Sequence, residues 1–262
     1  MSKVAVLGAG AYGTALGSVL AGNGYDVDYY DPLKEKERLK DVLSNAVAVV
    51  LVLPSETVMH LLPHLPKDKF LILAAKGFLS EKPFEDFNHW GILSGAGYAK
   101  YFKTNQMVYL TATDRKISEM FSSPNICFDF SGDKKGVLMC GALKNVYAIL
   151  AGRLGLKPGT KRMQKFILAA SNEIGMILKQ NGAKVKTLRL SCGVKDLVLT
   201  CDIESRNFRY GLELGQNGFK KPDETVEGLS TIKRILSHEI NVPSSAKMLT
   251  DFLEEFKNEI KL

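Results

Sequence analysis

The amino-acid sequence predicts an α/β fold, with a doubly wound sheet in the first half of the chain and an all-α domain in the second. Short apolar, β-branched runs alternate with helical patterns up to about residue 135, and a glycine-rich turn separates the first strand from the first helix. Beyond that point the pattern has helical period. We therefore predict a first domain of residues 1–135 and a helical domain of residues 136–262.

Seven segments of the first domain are predicted to be strands. Several are continuous apolar runs, which is typical of parallel strands covered by helices on both faces. The segments are VAVLG (4–8), VDYYD (27–31), AVVLVLP (48–54), FLILAAK (70–76), ILSG (92–95), MVYLTA (107–112) and ICFDF (126–130).

The glycine-rich turn runs from Gly8 through Gly10, Ala11 and Tyr12 to Gly13. In a GxGxxG turn the first glycine makes the tight turn, the second lets the backbone approach a pyrophosphate, and the third permits close helix–strand packing. The phosphates then meet the free N–H groups at the start of the helix. Because a strand precedes the turn and a helix follows it, we predict a Rossmann-type dinucleotide-binding domain.

Asp31 ends the second predicted strand, where an acidic residue accepts the adenine-ribose hydroxyls of a dinucleotide. An acid at this position repels a 2′-phosphate, so NAD is favoured over NADP. Positive charge for a 2′-phosphate is offered by the residues that follow closely, Lys34, Lys36 and Arg38. The sequence is therefore also compatible with NADP as the cofactor. The alternative interpretation of Asp31 is a turn aspartate ahead of Pro32.

The second domain contains helical patterns separated by Pro- and Gly-containing breaks, and its first helix holds Lys144 among apolar residues. At helical spacing Lys144 shares a face with Gly141, Ala148 and Ala151. A buried ammonium group is costly unless it has a partner or a function. Lys144 therefore packs against a close neighbour, faces a ligand, or keeps its charged end in solvent, and the pattern alone favours the last.

Composition restricts the class of protein. The formal charge of +7 suits an anionic ligand, a nucleic acid or an acidic surface, and equally a lysine-rich surface in solvent. The basic residues are spread along the chain, so we do not expect nucleic-acid binding. The four cysteines lack C-x-x-C or histidine spacing suited to zinc, which predicts no metal site and indicates reduced thiols of a cytoplasmic protein. Without a long apolar span, no stable membrane insertion is expected.

Eight segments, in order along nearly the whole chain, carry a resemblance to a known family. They are VLGAGAYGTALG, LPS (53–55), AKG (75–77), LSG (93–95), GALKNVYAILAG, KDLVLTC (195–201), SRNFRYG (205–211) and VEGLSTIK (226–233). The sequence resembles NAD(P)-dependent glycerol-3-phosphate dehydrogenases of the bacterial type, as a shortened member. GALKN and DLVLTC…SRN are specific to this family, whereas the glycine turn is shared by many enzymes.

The resemblance implies reversible hydride transfer between NAD(P)H and C2 of dihydroxyacetone phosphate, giving sn-glycerol 3-phosphate for phospholipid synthesis. It assigns Lys144 as the general acid/base, with a pKa lowered by burial and a neighbouring cation. Lys76 is implied as the second active-site lysine. Asp196 is implied as the ionised partner of the lysines, and Thr200, on the same helical face, as a hydrogen-bonding neighbour.

The resemblance also implies ligand contacts and a homodimer. Arg206 and Asn207 would clamp the substrate phosphate, with Asn145 and Gly95 as further substrate contacts. The implied cofactor contacts are Gly8, Gly10, Ala11, Tyr12, Gly13, Asp31, Pro54, Ala99, Arg206 and Glu227. Taken singly, Asp196 with Arg206 also fits a structural ion pair, Lys76 a surface charge and Glu227 a helix-start residue; their coincidence in family order favours function.

Three departures from the family pattern set limits on the resemblance. The connection after Asp31 is short, Ala96-Gly97 replaces a Pro-Ser pair and is expected to loosen a loop, and Lys195 replaces a glycine. A lysine at that position is expected to need a permissive backbone and to perturb Asp196. The alternatives are a non-catalytic or re-specialised NAD-binding paralogue, another two-domain dehydrogenase acting on a phosphorylated or carboxylated small molecule, and a nucleic-acid binder. The presence of the implied catalytic residues favours a working enzyme.

Overall fold

The computed structural model describes residues 1–34, 36–104 and 106–260. The chain forms two compact units. The first, here called the sheet unit, comprises Met1–Ala75 and Glu81–Lys134. The second, the helical unit, comprises Lys76–Ser80 and Lys135–Leu262, so a short segment that follows a strand in sequence belongs to the helical unit.

The sheet unit is built on a seven-stranded sheet with the order β2-β1-β3-β4-β5-β6-β7. The strands are β1 Lys3–Leu7, β2 Asp26–Tyr30, β3 Ala46–Leu51, β4 Phe70–Leu73, β5 His89–Ala96, β6 Val108–Ala112 and β7 Ile126–Phe130. Its helices are α1 Ala11–Gly22, α2 Leu39–Leu43, α3 Ser55–Leu61 and α4 Arg115–Met120. The predicted α/β fold and all seven predicted strands are confirmed.

The sheet is mixed, because one pair of neighbouring strands is antiparallel and the other pairs are parallel. Strands β1 to β5 pair in parallel, β5 and β6 pair antiparallel, and β6 and β7 pair in parallel. The connection between β5 and β6 contains a 3₁₀ turn at Ala99–Phe102 and no α-helix among its described residues. A parallel crossover needs a dozen or more residues and usually a helix, so this link reverses the chain direction.

The core of the sheet unit is formed by alternating residues of the central strands. Val4 and Val6 of β1 and Val50 of β3 are fully buried, as are Leu16 and Leu20 of α1, which packs on this face. The backbone of β1 pairs with β2 on one side and β3 on the other, Val6 lying opposite Tyr29 and Val50. This arrangement brings the carboxyl ends of three adjacent parallel strands to one edge of the sheet.

The helical unit is organised around α5 (Lys134–Arg153), in which every residue from Gly136 to Gly152 is buried. A helix that is apolar on all sides lies inside a domain. The other helices are α6 Lys161–Gln180, α7 Asp196–Thr200, α8 Arg206–Asn217, α9 Glu227–Leu236 and α10 Lys247–Ile260. Thr160 and Ser205 cap α6 and α8 by accepting hydrogen bonds from the N–H groups of Met163 and Phe208.

A buried carboxylate joins three of these helices. Glu173 of α6 accepts the N–H of Met248 at 2.7 Å and the N–H of Leu249 at 3.1 Å, at the start of α10. It also accepts the hydroxyl of Tyr147 of α5 at 2.8 Å. Burial, followed by the charge of Glu173, raises the pKa of Tyr147 well above its usual value. Glu173 therefore serves as an N-terminal cap for α10 from a different helix.

Several classes of feature are missing from the part of the chain that the structure describes. None of its helices combines the length and apolar character required to span a bilayer. It contains no cluster of three or more His, Cys, Asp or Glu side chains arranged to hold a metal ion. Its four cysteines form no disulfide bond.

Candidate active site

Lys144 lies in the middle of α5 and is only 3% exposed. Its ammonium group donates hydrogen bonds to Asp196 Oδ1 at 2.7 Å and to Thr200 Oγ1 at 2.6 Å. The Thr200 hydroxyl donates in turn to the Asp196 carbonyl oxygen at 2.6 Å, which leaves its lone pairs for the lysine. The interpretation of Lys144 as a surface lysine with its charge in solvent is therefore wrong.

The Asp196 carboxylate holds two lysines, one on each oxygen. Lys76 Nζ lies 3.2 Å from Asp196 Oδ2, while Lys144 occupies Oδ1. Asp196 is 1% exposed, whereas Lys76 is partly exposed. All four implied catalytic residues, Lys144, Lys76, Asp196 and Thr200, thus meet within the helical unit.

The protonation of Lys144 is balanced near neutrality. Burial lowers the pKa of Lys144 to about 7. This value is the net result of burial and the positive charge of Lys76, which lower the pKa, and of Asp196, which raises it. Since an ordinary lysine has a pKa of about 10.5, Lys144 is the group here that can take up and release a proton near pH 7.

The short helix α7 orients both partners of Lys144. Asp196 is its first residue and Thr200 its last, so the two side chains lie four positions apart on one face. The preceding residues, Ser191–Lys195, form a π-helical turn with a kink at Gly193. A side chain at Gly193 would collide with the backbone of Leu188, so this close approach requires glycine.

Two of the departures from the family pattern sit in ordinary backbone. Lys195 has φ −59° and ψ −45°, a standard helical conformation, and its side chain is exposed. The expectation that Lys195 needs a permissive backbone is therefore wrong. The residue of this segment that must be glycine is Gly193. Ala96 is the last residue of β5 and pairs with Tyr109 of β6, so the replaced pair begins within the sheet.

Asn207 of α8 connects its own helix to α5 and α9 by hydrogen bonds. Its amide donates to Asn145 Oδ1 at 3.1 Å and accepts the N–H of Gly228 at 2.9 Å. Asn145 donates to the carbonyl of Gly141, one turn earlier in α5. Gly228 follows Glu227, the first residue of α9, so the description of Glu227 as a helix-start residue is correct for its position.

Arg206, the first residue of α8, is mostly exposed and pairs with Glu224, its Nε lying 2.9 Å from Glu224 Oε2. The alternative in which Asp196 and Arg206 form a structural ion pair is wrong, because Asp196 pairs with the two lysines. Motif spacing indicates neither the close backbone approach at Gly193 nor the hydrogen bond between Asn207 and Gly228. For Gly193, the available sequence signal is the presence of a glycine shortly before the DLVLT helix.

The glycine turn of the sheet unit has the form expected of a pyrophosphate site. Gly8 has φ +121°, and a Cβ there would lie 2.6 Å from the carbonyl oxygen of Val52, so only glycine fits. A Cβ at Gly13 would collide with the Gly8 carbonyl, which reflects the close packing of α1 on the turn. Gly10 caps α1 and has open space beside it, and Ala11 and Tyr12 begin the helix. This open helix start fits phosphate groups.

Asp31 follows β2, and its carboxylate accepts the N–H of Leu33 at 3.1 Å. Its second oxygen lies 3.5 Å from Lys34 Nζ, so the interpretation as a turn aspartate describes its contacts. Arg38 pairs with Asp28, at 2.9 Å. The side chain of Lys36, a candidate for a 2′-phosphate, lies outside the described part of the chain.

The remaining implied contacts of the sheet unit follow strands. Gly8, Asp31 and Pro54 stand after β1, β2 and β3, at the carboxyl edge of three neighbouring strands. Gly95 lies near the end of β5 with φ +151°, and Ala99 begins the 3₁₀ turn that follows. In open α/β sheets, ligands bind at the carboxyl edge of the strands. A Rossmann-type sheet with an open pyrophosphate turn, together with a buried lysine that titrates near neutrality, defines an NAD(P)-dependent dehydrogenase.

Comparison with known proteins identifies the family. A glycerol-3-phosphate dehydrogenase [NAD(P)+] from Leptospira biflexa serovar Patoc is 30% identical, over 87% of this chain and 85% of the relative. The chain therefore belongs to the NAD(P)-dependent glycerol-3-phosphate dehydrogenase family, and it is an oxidoreductase. Residues 133–254 match the family described as NAD-dependent glycerol-3-phosphate dehydrogenase C-terminus.

Two further relatives support the assignment. The Lactobacillus helveticus glycerol-3-phosphate dehydrogenase [NAD(P)+] is 29% identical over 92% of this chain and 89% of its own length. The crystal structure of glycerol-3-phosphate dehydrogenase from Coxiella burnetii superposes with a TM-score of 0.78 at 25% identity, covering 97% of this chain and 95% of that one. The similarity thus extends over both units.

Proposed function

We propose that this enzyme interconverts dihydroxyacetone phosphate and sn-glycerol 3-phosphate with NAD(P)H, supplying phospholipid synthesis. The observation that carries the proposal is the buried Lys144, with a pKa of about 7 and its ammonium held by Asp196 and Thr200. The relatives from Leptospira and Lactobacillus bear the name of this activity. A proton donor and acceptor poised near pH 7 is what reduction of a ketone to an alcohol requires.

Lys144 is the proposed general acid and base. Bound NAD(P)H supplies the hydride for C2 of the ketone. Lys144 donates a proton to the C2 oxygen during reduction and accepts it during oxidation. Asp196 orients the ammonium group and stabilises its charged form, while Thr200 fixes its direction by a second hydrogen bond. Lys76 keeps the pKa of Lys144 low by its positive charge.

The substrate phosphate is proposed to bind Arg206 and Asn207. The ion pair of Arg206 with Glu224 is exposed, and such pairs contribute only about 0–1 kcal/mol, so a phosphate can replace Glu224. A guanidinium group offers the planar pair of donors that suits phosphate. An amide carries two N–H donors, so Asn207 can serve Asn145 and a phosphate oxygen together. Asn145 and Gly95 are the remaining proposed substrate contacts.

The dinucleotide is proposed to bind the turn of the sheet unit through Gly8, Gly10, Ala11, Tyr12 and Gly13. The support is the open start of α1 at Gly10. The negative charge of Asp31 favours NAD over NADP. The other proposed cofactor contacts are Pro54, Ala99, Arg206 and Glu227.

Domain roles, assembly and location complete the proposal. Residues 1–135 would bind the dinucleotide and also contribute Lys76 and Gly95, and residues 136–262 would supply the other substrate and catalytic groups. We propose a cytoplasmic homodimer. Cysteines without disulfide bonds, among the described residues, are typical of a reducing compartment and support the location.

The proposal is tested by following NADH absorbance with dihydroxyacetone phosphate, for the parent protein and for Lys144→Ala. The assay is repeated with NADPH. We expect the parent to oxidise NADH and the variant to lose roughly 10²–10⁴-fold in kcat, the usual contribution of general acid–base catalysis. Lys165→Ala, which removes an exposed lysine of α6, is the matched control and keeps parental activity.

Three outcomes contradict the proposal. If the parent binds NADH without oxidising it in the presence of dihydroxyacetone phosphate, the chain is a non-catalytic or re-specialised paralogue. If Lys144→Ala retains parental kcat, another group transfers the proton. If the parent fails to bind either dinucleotide, the assignment of the glycine turn is wrong.

A further inference from the structure

The segment that carries Lys76 belongs to the helical unit and buries two apolar side chains. Lys76–Ser80 has neither helical nor strand structure, and Gly77 has φ +95°. Phe78 is 1% exposed and Leu79 is fully buried. Because no regular hydrogen-bond ladder fixes this segment, the position of the Lys76 ammonium depends on how these two apolar anchors are packed.

Arg234 of α9 is the charged residue that contacts one of these anchors. Its guanidinium carbon lies 5.3 Å from the centroid of the Phe78 ring. The side chain of Arg234 is only 16% exposed, and its Nη1 pairs with Glu239 Oε2 at 3.3 Å. A guanidinium group partly removed from water attracts an aromatic ring more strongly than an exposed one does. Arg234 is therefore fixed on one side by Glu239 and holds Phe78 on the other.

We propose that Arg234 is a positioning residue for the dehydrogenase reaction: through its cation–π contact with Phe78, it fixes the segment that carries Lys76 and so holds the Lys76 ammonium against Asp196. The inference rests on the proposed function, because Lys76 influences the reaction through Lys144. The connection runs from Glu239 through Arg234 and Phe78 to Lys76, all within the helical unit. Arg234 itself contacts neither Asp196 nor Lys144 among its described partners.

The consequence for Lys144 follows from the groups that face it. These are the Asp196 carboxylate and Thr200 hydroxyl of α7, the Lys76 ammonium from the anchored segment, and the Cys201 thiol. Burial raises the pKa of Cys201 to about 12, so this thiol stays neutral near pH 7. Lys76 is the cation in this set, and loosening it raises the pKa of Lys144.

The test compares Arg234→Met, which keeps the length of the side chain and removes its charge, with Arg234→Lys, which keeps a cation over the ring. Lys233→Met, at the neighbouring exposed position of α9, is the matched control. Two readouts are taken. The first is kcat against pH for glycerol 3-phosphate oxidation, and the second is the titration of Lys144 by NMR of ¹³Cε-labelled lysine, assigned with Lys144→Arg.

In Arg234→Met we expect the Lys144 midpoint to rise by roughly one pH unit, the size of effect that a neighbouring charge produces. The rising limb of kcat against pH for glycerol 3-phosphate oxidation moves to higher pH by the same amount, because oxidation uses neutral Lys144. The kcat near pH 7 therefore falls by up to about tenfold. The KM for glycerol 3-phosphate stays near the parental value, because Arg206 and Asn207 are unchanged. Arg234→Lys and Lys233→Met retain the parental midpoint.

A parental midpoint in folded Arg234→Met overturns the inference, even if the variant melts at a lower temperature, because a merely stabilising residue would leave the titration of Lys144 in place. If Arg234→Met does not fold, Phe78→Leu removes the ring and keeps an apolar anchor, and an unchanged midpoint there has the same meaning. If the parent shows no turnover, the proposed function fails, and the NMR titration still decides whether Arg234 positions Lys76.

Discussion

The ammonium group of Lys144 and the carboxylate of Asp196 lie 2.7 Å apart, and both side chains are almost completely buried. Removing both charges from water is costly, and breaking such a pair by truncating one partner leaves the other charge buried alone. The second carboxylate oxygen is occupied by Lys76, so one negative charge serves two positive ones. The cluster therefore contains one carboxylate for two ammonium groups, and this excess of positive charge favours loss of a proton from Lys144.

Asp196→Asn removes the one group that raises the pKa of Lys144. Burial and Lys76 both act in the opposite direction, so the Lys144 pKa falls below its value of about 7. We expect kcat for dihydroxyacetone phosphate reduction near pH 7 to fall at least about tenfold, because that direction uses the ammonium form. The pH profile of kcat measures the effect as a shift of the basic limb to lower pH.

Asp251→Asn, at an exposed position of α10, is the control for this substitution and keeps the parental profile. A basic limb that stays in place in Asp196→Asn would show that Asp196 does not set the protonation of Lys144.

The free energy of unfolding should rise with pH between about 7 and 10.5. In the folded protein the pKa of Lys144 is about 7, while the unfolded chain has the ordinary lysine value of 10.5. Within that window the unfolded state binds more protons than the folded state, so increasing pH favours folding. Urea unfolding at several pH values measures this slope as an increase of roughly 1 kcal/mol or more across the window.

Lys144→Met isolates this contribution, because other lysines and tyrosines titrate in both proteins. The difference in unfolding free energy between parent and variant should move in favour of the parent as pH rises. A difference that is constant with pH contradicts the low pKa of Lys144.

The strands were predictable because their sequence signal is local. β1, β4 and β7 are short runs rich in Val, Ile, Leu and Phe bounded by turn residues, and such runs are typical of buried strands. The end of β4 was not predictable in this way. FLILAAK reads as one apolar run, yet the strand ends at Leu73 and Lys76 belongs to the helical unit. Pairing with β3 and β5, which are distant in sequence, decides where the ladder stops.

The surroundings of Lys144 show more clearly where prediction from local sequence patterns ends. A helical pattern places the lysine on a stripe of small residues, and a buried lysine and an exposed one give the same pattern. The partner that decides between them, Asp196, is 52 residues further along the chain. Only the resemblance to a family grouped these residues in advance. Likewise, the close approach at Gly193 depends on Leu188 lying against it, which no local pattern encodes.

Asp31→Asn should relax the preference for NAD. The side-chain oxygen of asparagine can still accept the N–H of Leu33, so the turn is retained while the negative charge is lost. The 2′-phosphate of NADPH and the Asp31 carboxylate are both negative, and like charges placed side by side cost several kcal/mol. Removing the charge of Asp31 should therefore increase the ratio of kcat/KM for NADPH to that for NADH by roughly tenfold or more. Steady-state kinetics with both cofactors measures the ratio.

Asp26→Asn changes an exposed aspartate at the opposite end of β2 and serves as the control, with the parental ratio expected. An unchanged ratio in Asp31→Asn would mean that Asp31 acts only as a turn residue and that cofactor choice is set elsewhere.

Glu173→Gln should destabilise the helical unit without a direct effect on the reacting groups. An amide has one oxygen where the carboxylate has two, so its NH₂ group must face the N–H of Met248 or the N–H of Leu249. A buried N–H left without an acceptor costs about 1–3 kcal/mol, and the charge-assisted bonds at the start of α10 weaken as well. Urea unfolding should show a loss of roughly 2–3 kcal/mol in the free energy of unfolding. Tyr147→Phe, which removes one neutral donor to the same carboxylate, should lose about 1 kcal/mol.

Glu254→Gln, on the exposed face of α10, is the control and should unfold at the parental midpoint. Equal stability of Glu173→Gln and Glu254→Gln would show that the Glu173 carboxylate does not cap α10.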